Sequence, residues 1–194
     1  MFRRVILVWF VAFCVSVFVA TTCYAFTLLT KEEALKYVFP GCEIANTTKS
    51  LKGPVLSKVK KRLGGSLVFF QEGSESARVS GKKSIKFYVA SKNGKKIGVA
   101  IIDVEPGKWG PVEFIIALNL QGVVQKVRVM SYQEKRGRPI ARLSFMRQYT
   151  GKSSKSVLRV GRDIAGISGA TISSRAATFA VKKAIVLYEE LYRS

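Results

Sequence analysis

Between Ser84 and Tyr132 the chain alternates between apolar and polar positions. Ile85, Phe87 and Val89 are separated by polar or small neighbours, a period of two that predicts a half-buried strand. Asn93-Gly94 follows, the dipeptide best suited to a two-residue hairpin turn, and residues 96–104 are predicted as the return strand. Pro106 to Gly110 reads as a loop, Val112 to Leu120 as a third strand, Gln121-Gly122 as a tight turn and Val123 to Met130 as a fourth strand. The period then changes. Ile140, Leu143 and Met146 recur at helical spacing, predicting a helix over 140–149, and a Ser/Lys-rich loop covers 151–161. Residues 172–192 read as one long amphipathic helix with Ala176, Phe179, Ala180, Ala184, Leu187 and Leu191 on its apolar face. Strands followed by helices predict an α+β domain: an antiparallel β-sheet of about four or more strands packed with helices, including a long C-terminal helix.

The N-terminal part has a different texture. Thr30-Lys31-Glu32-Glu33 is a capping box, so a short helix is expected to run to Val38 and to stop before Pro40-Gly41. Val55 to Leu63 predicts a second short, basic helix ended by Gly64-Gly65. Residues 26–80 therefore read as a small helical and basic N-terminal extension, ahead of a main domain over 81–194. Residues 1–25 are a separate object. Arg3 and Arg4 precede an apolar run from Val5 to Ala20, and Cys23-Tyr24-Ala25 resembles the small-x-small site of a cleaved secretory signal. The run is short for a membrane span, so cleavage is favoured over an N-terminal anchor. Either way the rest of the chain is expected to be exported, periplasmic or at the outer face of the cytoplasmic membrane.

Charge and composition narrow the chemistry. The 194 residues hold 33 Lys and Arg, 12 Asp and Glu and no His, for a net charge of +21. Removing 25 residues and two arginines leaves 169 residues and +19. Without His, no Ser-His-Asp triad, Cys-His dyad or His-ligated haem can form. Three Cys fall short of the four thiolates of a Cys-only metal or Fe–S site. Asp103 and Asp163 are the only aspartates, a thin supply for a carboxylate cage around Mg²⁺ or Ca²⁺. Cys42 alone survives removal of the signal, so no internal disulfide is expected, and a buried apolar role suits it best.

The stretch richest in chemistry is Asp163-Ile-Ala-Gly-Ile-Ser168-Gly169-Ala170-Thr171-Ile-Ser173-Ser174. Gly166 and Gly169 allow tight backbone turns, and hydroxyls crowd the expected start of the last helix. Free N–H groups and a partial positive charge at such a start suit a phosphate, with Lys182 and Lys183 farther along. The same residues fit a plain Ser/Thr-rich N-cap, and spacing alone favours that simpler reading. Established motifs fail here. Gly161-x4-Gly166 is followed by Ile167 rather than Lys, so it is no P-loop, and Gly166-Ile-Ser168-Gly-Ala170 lacks the last glycine of a nucleophile elbow.

Asp163 through Ser174 resembles the flavinylation motif of the FMN-binding domain family. That family includes the covalent-flavin subunits of the sodium-pumping NADH:quinone reductase and of the Rnf electron-transport complex, and stand-alone exported proteins. The matching residues are Asp163, then Ser168-Gly169-Ala170-Thr171, then Ser173-Ser174. Upstream, Gly110-Pro111, the strand pair after it, Glu134-x-x-Gly137 and Arg142 to Lys152 resemble the family's sheet, loop and helix, so the resemblance spans about 108–191. Gln133-Glu134-Lys135-Arg136-Gly137 departs from the family's Thr-Pro after Glu.

The resemblance implies FMN held covalently through a phosphoester on Thr171, with Asp163, Ser168, Gly169, Ala170, Ser173, Glu134 and Gly137 around it. It also implies a separate flavin transferase that makes the bond from FAD, because a threonine hydroxyl is a poor nucleophile unaided. Asp163 then reads as a recognition element or a loop-ordering acceptor. Arg128, Lys135, Arg136, Arg138 and Arg142 are expected beside the flavin, where cations stabilise the reduced ring; a solvated basic loop explains them equally well. The implied function is an exported electron carrier, more a redox subunit than a stand-alone enzyme, exchanging electrons with a cytochrome or a membrane redox complex. The alternatives are a constituent of such a complex and a non-redox basic module for anionic surfaces. Export and the lack of a stacking or helix-turn-helix motif argue against nucleic acid.

Overall fold

The computed structural model describes residues 26–65, 67, 69–70, 78–79, 84–108, 110–133 and 140–193. The expected signal or anchor of residues 1–25 lies outside them, as do Glu134, Lys135, Arg136, Gly137 and Arg138. Among the described residues no helix is long and apolar enough to cross a membrane.

The predicted meander forms. β5 (Ser84–Lys92), β6 (Lys95–Pro106), β7 (Pro111–Asn119) and β8 (Val124–Tyr132) pair antiparallel in sequence order. Asn93 and Gly94 both take positive φ, 52° and 71°, the backbone that a primed hairpin turn needs and that these two residues tolerate best. Two outer strands complete a six-stranded sheet. β1 (Phe26–Thr27) adds to β8, and β2 (Glu43–Ser50) runs the length of β5. Residues 43–50 show mostly polar and exposed side chains, so the hydrophobic pattern did not mark them as a strand; an edge strand is held by its backbone ladder and need not alternate. Residues 26–80 thus supply both edges of the main sheet, besides α1 (Lys31–Val38), α2 (Gly53–Arg62) and the short pair β3 (Phe69–Phe70) and β4 (Arg78–Val79). The α1 capping box is present in full, with the Glu33 carboxylate accepting from Thr30 N at 2.8 Å and Thr30 Oγ1 accepting from Glu33 N at 3.3 Å. Cys42, expected as buried, is only half-buried, its thiol 3.6 Å from the Pro40 carbonyl.

The C-terminal helix α4 (Thr171–Leu187) lies across one face of the sheet and ends in a single π-turn, Tyr188–Arg193. The helix predicted over 140–149 forms only as one α-turn, α3 (Leu143–Met146), followed by a 3₁₀ turn, Arg147–Tyr149. α4, α3 and α2 cover one face, where Phe87, Phe114, Ile116 and Leu118 meet Tyr149, Ala180, Val181 and Ala184. α1 covers the other, with Ala34, Leu35 and Val38 against Ala100, Ile115, Ala117 and Met130. Covered on both sides, the central strand β7 is apolar almost throughout, from Phe114 to Leu118, instead of alternating.

Candidate functional site

The site is built where the loop 150–170 returns to the sheet and feeds α4. The loop is anchored at its start, because Val124 N donates to Lys152 O and Gly151 N to Val124 O, both at 2.8 Å. Its middle is folded around Asp163. That carboxylate accepts from Arg159 N at 2.8 Å, from Leu158 N at 3.0 Å and from Lys152 Nζ at 3.2 Å. Partial burial alone would raise its pKa; the three donors overcome this and hold it below the ordinary value of 3.8. Asp163 therefore orders the loop. Ile164, next to it, is fully buried and anchors the loop in the core. Gln148 clamps the far side, its Oε1 accepting from Ala165 N at 2.8 Å and its Nε2 donating to Ala165 O at 3.3 Å.

The turn into α4 follows. Gly169 adopts φ +76°, which a residue with Cβ would resist. Ala170 is the N-cap, and no side chain caps the helix, so the simple Ser/Thr N-cap is absent despite four hydroxyl residues around it. Ser174 turns inward instead: its Oγ donates to Ala170 O at 2.9 Å and accepts from Ile167 N at 3.3 Å. Ser173 is also fully buried, while Thr171 and Ser168 are exposed. One exposed hydroxyl thus stands at the first residue of an uncapped helix, where the partial positive charge favours an anion.

A cleft of about 270 Å³ opens beside this turn, lined by Arg142, Ser144, Phe145, Gln148, Ala165 and Ile167. On the other side of the loop, Leu158, Arg159, Arg175, Phe179 and Lys182 line a groove of about 450 Å³.

Residues 107–186 match the FMN-binding domain family. Over this segment the chain is similar to that family. Its match covers β7, β8, α3, the Asp163 loop and nearly all of α4, which includes every residue of the turn just described. The cofactor supported is FMN. The chain is also 32% identical over 120 residues to the subunit designated G in the ion-translocating oxidoreductase complex of Aliivibrio fischeri, covering 56% of this chain and 57% of that one. The corresponding protein from Shewanella oneidensis is 32% identical over 110 residues, covering 50% and 52%. The subunit with the same letter in the proton-translocating ferredoxin:NAD(+) oxidoreductase complex of Clostridium ljungdahlii is 28% identical over 125 residues, covering 61% and 66%. The chain spans about half to two thirds of the length of these relatives.

Within the matched segment, Asp163, Ser168, Gly169, Ala170, Thr171 and Ser173 come together on one loop and one helical turn, whereas Glu134 and Gly137 lie outside the described residues. Two expected cations are placed elsewhere. Arg128 belongs to the opposite face of the sheet, its guanidinium 4.7 Å from the centre of the Tyr37 ring, because strand alternation sets 128 opposite to the core positions 127 and 129. Lys183 does not follow Lys182 toward the groove. It is fully buried under α4, 2.8 Å from Asp103 and 2.5 Å from Glu105, with the Phe69 ring centre 5.0 Å away. Burial lowers its pKa and the two carboxylates more than reverse this, leaving it raised. Burial dominates at Glu105 and, with Asp103 adding to it, lifts that carboxyl to about 8 against the pull of Lys183. Arg142 lines the cleft. Gln148 was missed from sequence: nothing in the spacing of a lone amide marks its partner 17 residues on. The buried cluster had a readable signal, since Asp103 and Glu105 continue the core-facing parity of Ile101 and demand a cation.

Proposed function

We propose that this protein is an exported electron-transfer subunit that carries FMN covalently on Thr171, as a phosphoester of its hydroxyl, and serves a membrane redox complex. The observation that carries the reading is the exposed Thr171 hydroxyl at the first residue of a helix that no side chain caps. When bound, FMN supplies one- and two-electron transfer; the chain supplies position and electrostatics. Thr171 would hold the phosphate at the positive end of α4. Asp163 and Gln148 keep the loop in the shape that presents Thr171, and neither reaches the turn itself. Ser174 braces the turn from inside. The cleft of Phe145, Gln148 and Ile167, with Arg142 at its edge, suits a planar ring, and Arg142 would favour its reduced, anionic form. A flavin transferase using FAD is the required partner for loading, since the site holds no base beside Thr171 among the described residues. The names of the relatives, each a subunit of an ion- or proton-translocating oxidoreductase complex, support the membrane redox complex as the setting. The leader-like residues 1–25 support export.

The test is coexpression with a flavin transferase in an export-competent host, followed by denaturing electrophoresis viewed under ultraviolet light. A fluorescent band and a mass increase of one FMN less water are expected. Thr171→Val is expected to abolish both while leaving the thermal midpoint nearly unchanged. A dark band from the unaltered chain, or a fluorescent one from Thr171→Val, would overturn the assignment.

A further inference from the structure

The charge of this chain is unevenly spread. From Ile140 to Tyr188 there are nine Lys and Arg and one carboxylate, Asp163. Lys152 is tied to Asp163 and Lys183 is buried with Asp103 and Glu105. The other seven cations have no ion-pair partner among the described residues. Over the rest of the chain 24 Lys and Arg stand against 11 carboxylates, and Arg62 of α2 is paired with both Glu189 and Glu190. Three of the unpaired cations lie on the helix that begins at Thr171 or on the loop across the groove from it. Arg175 follows Thr171 by one helical turn and Lys182 by three, about 6 and 16 Å along the axis. Arg159 faces these two across the groove. Three large apolar side chains lie exposed among them: Leu143 at 40%, Val157 at 55% and Ile172, next to Thr171, at 50%.

Apolar side chains ringed by charge of one sign have the anatomy of a transient protein interface, with desolvated contacts inside and a steering rim outside. A lipid surface would instead be met by a flat face with aromatic anchors, whereas this one is concave, with a groove of about 450 Å³ on one side of the loop and a cleft of about 270 Å³ on the other. We propose that the face formed by Arg159, Arg175, Lys182, Val157 and Ile172 docks an acidic electron-transfer protein, one whose redox group is bordered by carboxylates around a small apolar patch. This rests on the reading of Thr171 as the flavin site, since docking there brings the partner's redox group next to the flavin. Seven unpaired cations keep copies of the chain apart and draw in an acidic protein by long-range attraction.

The probe is an acidic plant-type ferredoxin added to the purified, flavin-free chain, followed by amide chemical shifts. Expected are saturable shifts confined to 142–182, an affinity that falls about tenfold between about 50 and about 200 mM salt, and a similar loss in Arg159→Gln/Arg175→Gln/Lys182→Gln at unchanged thermal midpoint. No shifts, shifts on the α1 face, or retention by phosphatidylglycerol vesicles with no response to ferredoxin would overturn the proposal. Since no flavin is present, failure of the Thr171 assignment appears separately, as a missing FMN mass in the loaded chain.

Discussion

Each of the two aspartates of this chain sits beside a lysine, and the two pairs do opposite work. Asp103 and Lys183 are 2.8 Å apart under α4, almost wholly shielded from water, with Glu105 as a third member. Asp163 and Lys152 are 3.2 Å apart at the surface, each about a fifth exposed. In the first pair the charges have lost their hydration and have only one another, so geometry there is locked. In the second, water and two backbone N–H groups share the load, and the lysine adds little to what the amides already do. The buried pair fastens α4 to β6; the exposed pair shapes the loop that leads into α4. The same helix is therefore held by buried charge along its length and by hydrogen bonds of its entry loop at its start, where the candidate site lies.

The comparison can be broken most directly at Lys183. Lys183→Met leaves the Asp103 and Glu105 carboxyl groups buried without their cation and is expected to cost about 3–5 kcal/mol in urea unfolding. A loss below about 1 kcal/mol would mean that water reaches this cluster. The next effect is a slope with pH. Glu105 keeps its proton to about 8 in the folded chain but releases it near 4.5 when unfolded. The folded state then binds more protons between these values, so stability falls as pH rises from 4.5 to 8. Glu105→Gln is expected to be near neutral at about pH 5 and to be more stable than the parent by about 1–2 kcal/mol at about pH 8. Parallel stability curves for the two proteins would contradict this. The smallest effect is at the loop. Asp163→Asn is expected to cost about 1 kcal/mol, and to speed amide exchange at Leu158 and Arg159 without changing exchange in β7. The folded pKa of Asp163 lies below 3.8, so this difference is present above pH 3.8 and vanishes as pH falls through the folded value. High salt should shrink the contribution of Lys152 and leave that of Lys183 intact.

Much of this was legible in the chain. The meander from Ser84 to Tyr132, its Asn93-Gly94 turn, the Thr30–Glu33 capping box and the long last helix all follow from local rules that use a few neighbouring residues. The Asp163–Ser174 motif was legible for the same reason: it is contiguous. What escaped was decided by partners distant in the chain. β2 carries no alternation because a strand paired along β5 can be held by its backbone alone. The helix over 140–149 tightens into a 3₁₀ turn where Tyr149 reaches Thr178 of α4, 2.9 Å away.

The deepest division concerns the lysines and the hydroxyls. Their number, their neighbours and the motif that holds Thr171 are properties of the sequence. Which hydroxyl meets solvent and which meets the core is not, because that depends on the rotation of α4 against the sheet. Packing turns Ser173, Ser174 and Lys183 inward and leaves Thr171, Arg175 and, in part, Lys182 outward. A charge count sees two adjacent lysines, Lys182 and Lys183, as one basic step. Only the folded chain, by removing water from one and not the other, makes the first part of a surface and the second part of the core.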